Sequence, residues 1–79
     1  MKKFVEVNNQ LKAVFTFSSF IEAIDFVNQV ADLAETASHH PDILIHHAKN
    51  VTITLSTHDQ GNKVTKQDWD LADQIEALA

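Results

Sequence analysis

The apolar residues of this chain change period twice, and that limits its fold more than any other feature. Leu11, Ala13, Phe15 and Phe17 alternate with Lys12, Val14 and Thr16, the period of a strand with one buried face. Phe20, Ala23, Ile24, Val27, Val30, Ala31 and Ala34 then recur at helical spacing. Phe26 and Leu33 widen that stripe, and Asp25, Asn28, Gln29 and Asp32 take the wet side. Val51, Ile53 and Leu55 return to alternation with Thr52, Thr54 and Ser56. A sequence that moves from a period of two to 3.6 and back has both kinds of face to hide, so it must pack helix against sheet.

The punctuation divides it further. Phe4–Val7 is a short β-prone run, and Asn8-Asn9 suits the positive φ of a tight hairpin turn. Ser19 and Glu22 have capping-box spacing, so a helix is expected from about Ser19 to about Ser38. Pro41 cannot continue it and biases His40 toward extended backbone. Ile43-Leu44-Ile45 begins a third strand, Ala48-Lys49-Asn50 is a turn, and Asp59-Gln60-Gly61-Asn62 is a loop. Thr65 and Asp68 repeat the capping spacing, and Trp69, Ala72, Ile75 and Leu78 mark a second amphipathic helix. The expected fold is α+β: order ββαββα, a four-stranded antiparallel sheet with two helices packed on one face. The strand from Val51 to Thr57 is uncharged and β-branched, so it is expected to be paired, within the chain or across a dimer.

Seventy-nine residues without a linker or a repeat read as a single domain, 1–79. A net charge of −5 is a poor match for a phosphate backbone, so no direct nucleic-acid ligand is expected. The absence of Cys excludes disulfides, thiolate metal sites and cysteine nucleophiles. No apolar run approaches the ~20 residues of a membrane span, and Met1-Lys2-Lys3-Phe4-Val5-Glu6 lacks a signal-peptide core. A cytoplasmic protein with no membrane partner is the expectation.

Five histidines, four in two adjacent pairs, are the compositional oddity. Glu35 and His39 are four apart, so a helix reaching His39 would place carboxylate and imidazole on one face, fixing tautomer and ring orientation. His40, held extended by Pro41, should point elsewhere from the same corner. A polar helix end with both rings in water is the alternative. His58 ends the fourth strand beside Asp59, as a proton-transfer group or as a surface residue. His46 and His47 fall on opposite faces of the third strand and read as a solvated strand end. Adjacent histidines in an extended segment diverge, and no His-Glu-x-x-His is present, so no metal is expected. There is no Gly-x-Ser-x-Gly elbow and no Gly-rich phosphate loop.

Taken in order, Glu35-Thr36-Ala37-Ser38-His39-His40-Pro41 resembles the Glu-x-x-x-His-His-Pro signature of the pterin-4a-carbinolamine dehydratases. Val51 to Asp59 is similar to that family's strand ending in Ser/Thr-Thr-His, and Val64-Thr65-Lys66-Gln67-Asp68 to its entry into the last helix. The resemblance covers about Val14 to Leu78. It implies the same ββαββα sheet, a homodimer made by joining sheets and, in some members, tetramers. It implies dehydration of 4a-hydroxytetrahydropterin to quinonoid dihydropterin, recycling the pterin after an aromatic amino-acid hydroxylase, with no metal or organic cofactor. His39, His40 and His58 would form the site. His39, tuned by Glu35, and His58 would exchange the two protons, His40 and Pro41 with Ser56 and Thr57 would hold the pterin, and Asp68 would orient His58 or a water. A non-catalytic dimerisation or coactivator module is the alternative the same resemblance implies. Against the family's pattern, the usual N-terminal helix is not expected ahead of the first strand, and Ile43 and His47 stand where many members have aromatics. The loop from Asp59 to Lys63 reads as about one residue longer than usual.

Overall fold

A computed structural model describes residues 3–57, 61 and 63–79. The elements are β1 (Val5–Val7), β2 (Gln10–Thr16), α1 (Phe20–Ala37), β3 (Asp42–His46), β4 (Asn50–Leu55) and α2 (Lys66–Leu78). This is the expected ββαββα order. The strands form one antiparallel sheet in the order β1-β2-β4-β3. The uncharged strand β4 is therefore interior, paired on both sides within the chain, and the open edges fall to β1 and β3.

Register follows the alternation. Leu11, Ala13 and Phe15 stand opposite Leu55, Ile53 and Val51, and Ile43 and Ile45 pair with Ile53 and Val51. These side chains make the face that meets the helices, and those of β2 and β4 are fully or nearly fully buried. The other face carries Lys12, Val14, Thr16, Thr52 and Thr54, with Val14 and Leu44 exposed. Asn8 and Asn9 both take positive φ, as a tight hairpin turn requires, and their short polar side chains tolerate it.

α1 buries Ala23, Phe26, Val30 and Ala34, so its stripe is rotated from the expected one: Phe26 is core and Phe20 is half exposed. The aromatic rings explain the shift. Phe26 stacks 4.8 Å from Phe15 and 4.9 Å from Phe17, a contact Phe20 at the first turn is not placed to make. Ser19 caps α1 by accepting from the Glu22 backbone N–H at 3.1 Å, while the Glu22 carboxylate reaches back one residue further, to Ser18. α2 buries Asp68, Leu71, Ala72 and Ile75, leaving Leu78 at the margin. The Glu76 carboxylate accepts from the backbone N–H groups of Lys3 and Phe4 and so ties α2 to the start of the sheet.

Two ends matter for the site. α1 stops because Ser38 turns left-handed (φ 51, ψ 40). The His39 N–H then bonds the Ala34 carbonyl at 3.1 Å and the Ser38 N–H bonds that of Glu35 at 3.2 Å, a Schellman ending made without glycine. α2 starts at Thr65, whose backbone N–H donates to the Asp68 carboxylate at 2.9 Å. The two ends face each other.

Candidate active site

The left-handed Ser38 takes His39 out of the helical register. Its ring no longer lies over Glu35 but reaches α2, where Nε2 stands 2.5 Å from Asp68 Oδ1. The partner is 29 residues away in sequence. The expected Glu35–His39 pairing is therefore corrected. Glu35 instead holds His40 Nε2, five residues on, in a pair open to water on both sides. The reason is the ending of α1: a pair four apart needs an unbroken helical turn, and the turn is unwound at Ser38.

The sequence reading gives Asp68 the task of orienting His58 or a water. Asp68 holds His39, and His58 lies outside the described residues. Its side chain is completely buried, and the His39 side chain is only 12% exposed. Burial on that scale requires each carboxylate oxygen to find a hydrogen-bond partner. Oδ2 accepts from the Thr65 backbone N–H and, at 2.8 Å, from the Thr57 hydroxyl. Thr57 Oγ1 also lies 2.7 Å from Thr65 Oγ1. Thr57 is set in place by its backbone bridge to Lys63, its N–H donating to the Lys63 carbonyl at 2.9 Å. No described buried side-chain polar atom lacks a partner.

Among the expected site residues, the structure thus joins His39, Asp68 and Thr57 in one buried chain of hydrogen bonds. It sets Glu35 and His40 beside them on the surface. Pro41 is half-buried, and Ser56 and Thr57 are buried at the end of β4. His58 lies outside the described residues, as do Asp59, Gln60 and Asn62 of the expected loop, and with them its length. In the sequence Thr65 reads only as a helix cap. Its part in the Asp68 network has no sequence signal beyond the capping spacing itself.

The second histidine pair behaves differently from expectation. His47 takes a positive φ and leaves the strand, so the two rings meet edge to face with their Nδ1 atoms 3.3 Å apart. His46 Nε2 is 2.9 Å from the Thr52 hydroxyl. Among the described residues no group of three or more His, Asp or Glu side chains could hold a metal ion. An open cleft lined by Phe17, Glu22, Asp25, Phe26, Gln29 and Leu78 lies along the first half of α1, at the opposite end from His39. No described helix is long and apolar enough to cross a membrane.

A four-stranded antiparallel sheet with two helices on one face, and an imidazole held by a buried carboxylate where one helix ends and the other begins, defines a small α+β domain of the pterin-dehydratase fold. The chain belongs to the family described as Pterin 4 alpha carbinolamine dehydratase, whose pattern it matches over residues 3–78. It is 49% identical over 73 residues to a Picosynechococcus protein named "Putative pterin-4-alpha-carbinolamine dehydratase", covering 92% of this chain and 77% of that one. A Cyanothece protein of the same name is 51% identical over 73 residues, covering 92% and 73%. A solved Brucella melitensis structure described as a transcriptional coactivator/pterin dehydratase superposes with a TM-score of 0.89 at 32% identity, over 98% of this chain and 82% of its own. A pterin dehydratase-like protein described as a RuBisCO assembly factor in the alpha-carboxysome shares the fold, with a TM-score of 0.77 at 24% identity over 99% of this chain and 88% of its own.

Proposed function

We propose that the protein dehydrates 4a-hydroxytetrahydropterin to quinonoid dihydropterin by histidine acid–base catalysis. One observation carries the reading: His39 is held 2.5 Å from a fully buried Asp68, in a chain whose family is the carbinolamine dehydratases. Loss of water from a carbinolamine requires a proton to leave a ring nitrogen and another to reach the departing hydroxyl. Imidazoles exchange protons near neutral pH and suit both steps. In this reading His39 and His58 handle the two protons, and His40, steadied by Glu35, contacts the pterin with Pro41. Asp68 orients His39, and Thr57 stands behind Asp68 rather than against the substrate. A homodimer joined through sheet edges fits an exposed edge at β3, and an aromatic amino-acid hydroxylase would supply the substrate.

The test is dehydration of a synthetic carbinolamine, corrected for the spontaneous rate. His39→Ala and His58→Ala should each lower turnover by about a hundredfold or more with an unchanged circular dichroism spectrum. Full activity in either variant removes that residue from the reaction. A second reading, a binding module without catalysis, is favoured by the coactivator half of the description carried by the Brucella relative. Wild-type protein that leaves the spontaneous rate unchanged while binding a partner protein would support it.

A further inference from the structure

The hydrogen bonds around Asp68 can be given directions. The Thr65 backbone N–H can only donate, so Oδ2 accepts it. The Thr57 hydroxyl has one proton and gives it to the same oxygen. Having spent that proton, Thr57 can only accept from the Thr65 hydroxyl 2.7 Å away. The donors run in one sequence, Thr65 to Thr57 to Asp68, and two of them converge on Oδ2. That leaves Oδ1 to face His39 Nε2. A carboxylate oxygen can only accept, so the proton of this contact is carried by nitrogen. Nε2 is then committed as a donor, in a contact that is almost closed to water.

We propose that Asp68 and Thr57 are positioning residues that hold neutral His39 as the Nε2–H tautomer, so that Nδ1 is the nitrogen through which His39 exchanges its proton with substrate. The inference rests on the dehydratase reading for its substrate and on the hydrogen-bond directions for its tautomer. Whichever of the two protons His39 handles, it passes through Nδ1, and the positive charge of the imidazolium forms against the Asp68 carboxylate. Thr57 acts through Asp68: its hydroxyl occupies Oδ2 and keeps Oδ1 turned toward the ring. The arrangement also says what an amide would do. In Asp68→Asn the single oxygen is claimed by Thr65 N–H and Thr57 O–H, which turns the amide NH2 toward Nε2. The ring must then accept there and carry its proton on Nδ1, the wrong tautomer for the reaction.

The tautomer is read directly by long-range 1H–15N correlation spectra of the full chain labelled in histidine, with the His39 signals identified by their loss in His39→Gln. Wild type should show the Nε2–H pattern and Asp68→Asn the Nδ1–H pattern. Turnover of Asp68→Asn should fall about a thousandfold or more, the scale of a mis-set tautomer in a hydrogen-bonded catalytic imidazole. Thr57→Val should lower turnover about tenfold with little change in KM and mix the two patterns, while Thr57→Ser restores both. If Asp68→Asn does not fold, the Thr57 pair and the wild-type spectrum still decide. An Nδ1–H pattern in wild type overturns the inference whatever the activity, as does an inverted ring in Asp68→Asn that keeps full turnover. A wild-type protein with the Nε2–H pattern but no dehydration overturns the dehydratase reading, and with it the proton exchange proposed for Nδ1.

Discussion

His39 and His40 are neighbours in sequence and each is paired with a carboxylate, yet the two pairs differ in kind. His40 and Glu35 are exposed at 64% and 75% of their side chains, so water competes for both partners and the contact is easily given up. His39 and Asp68 are exposed at 12% and 0%. There the surroundings supply two further donors to the carboxylate, and neither partner can turn to water if the other is removed. A single residue separates the two outcomes. Ser38 unwinds α1, sends the first imidazole inward to α2 and leaves the second, stiffened by Pro41, on the rim. The contrast shows that a His–carboxylate contact is worth what its burial makes it worth.

The largest expected effect breaks the buried pair. Asp68→Ala strands the Thr57 hydroxyl, the Thr65 N–H and the His39 ring together, and should cost about 3–5 kcal/mol in urea unfolding. A loss below about 1 kcal/mol would show that water reaches this network and that the distinction between the pairs is false. Ser38→Gly should act the other way. Glycine takes the left-handed conformation without the side-chain penalty, so the variant should gain about 1 kcal/mol, a rise of a few degrees in Tm. A loss would mean that the Ser38 side chain contributes more than its backbone. A double-mutant cycle between Glu35→Gln and His40→Ala should return a coupling of about 0.5 kcal/mol or less, fading with added salt. A coupling above about 1.5 kcal/mol would raise the surface pair to the rank of the buried one.

The smallest effect is at the far end of α1. There the fully exposed Glu22 carboxyl is held below its ordinary range, first by the Ser18 hydroxyl and then by the Ser18 backbone N–H. A carboxyl lowered on folding adds stability above its ordinary range and loses it as pH falls through the lowered value. Glu22→Gln should therefore trim stability slightly at neutral pH and not at all in strong acid. A penalty that persists in acid would assign the effect to packing instead.

Much of the fold was legible from alternation and caps. Asn8-Asn9, Ser19, Thr65 and the β4 pattern each carry their reason within a few residues, because turns, caps and strand faces are decided by local geometry. The α1 stripe was legible only in part. Whether Phe20 or Phe26 faces the core depends on where Phe15 and Phe17 stand in the sheet, and spacing along one helix does not contain that. The candidate site was legible as a set of residue types, and His58 lies outside the described residues. Its wiring was misread for a specific reason: spacing four apart assumes a continuing helix, and nothing around Ser38 announces a left-handed residue in the way that glycine would.

By itself, then, the sequence determined the order of the elements, the faces they bury and the presence of imidazoles and carboxylates at one corner. Those properties follow from periodicity and from side-chain chemistry within a turn or two. Only the tertiary structure decided which carboxylate meets which imidazole. The Asp68 that holds His39 also caps its own helix, and its second oxygen finds a partner only when the end of α1 is brought against the start of α2. Contacts between distant segments are set by the packing of whole elements, and the burial that gives this one its strength exists only after they have packed.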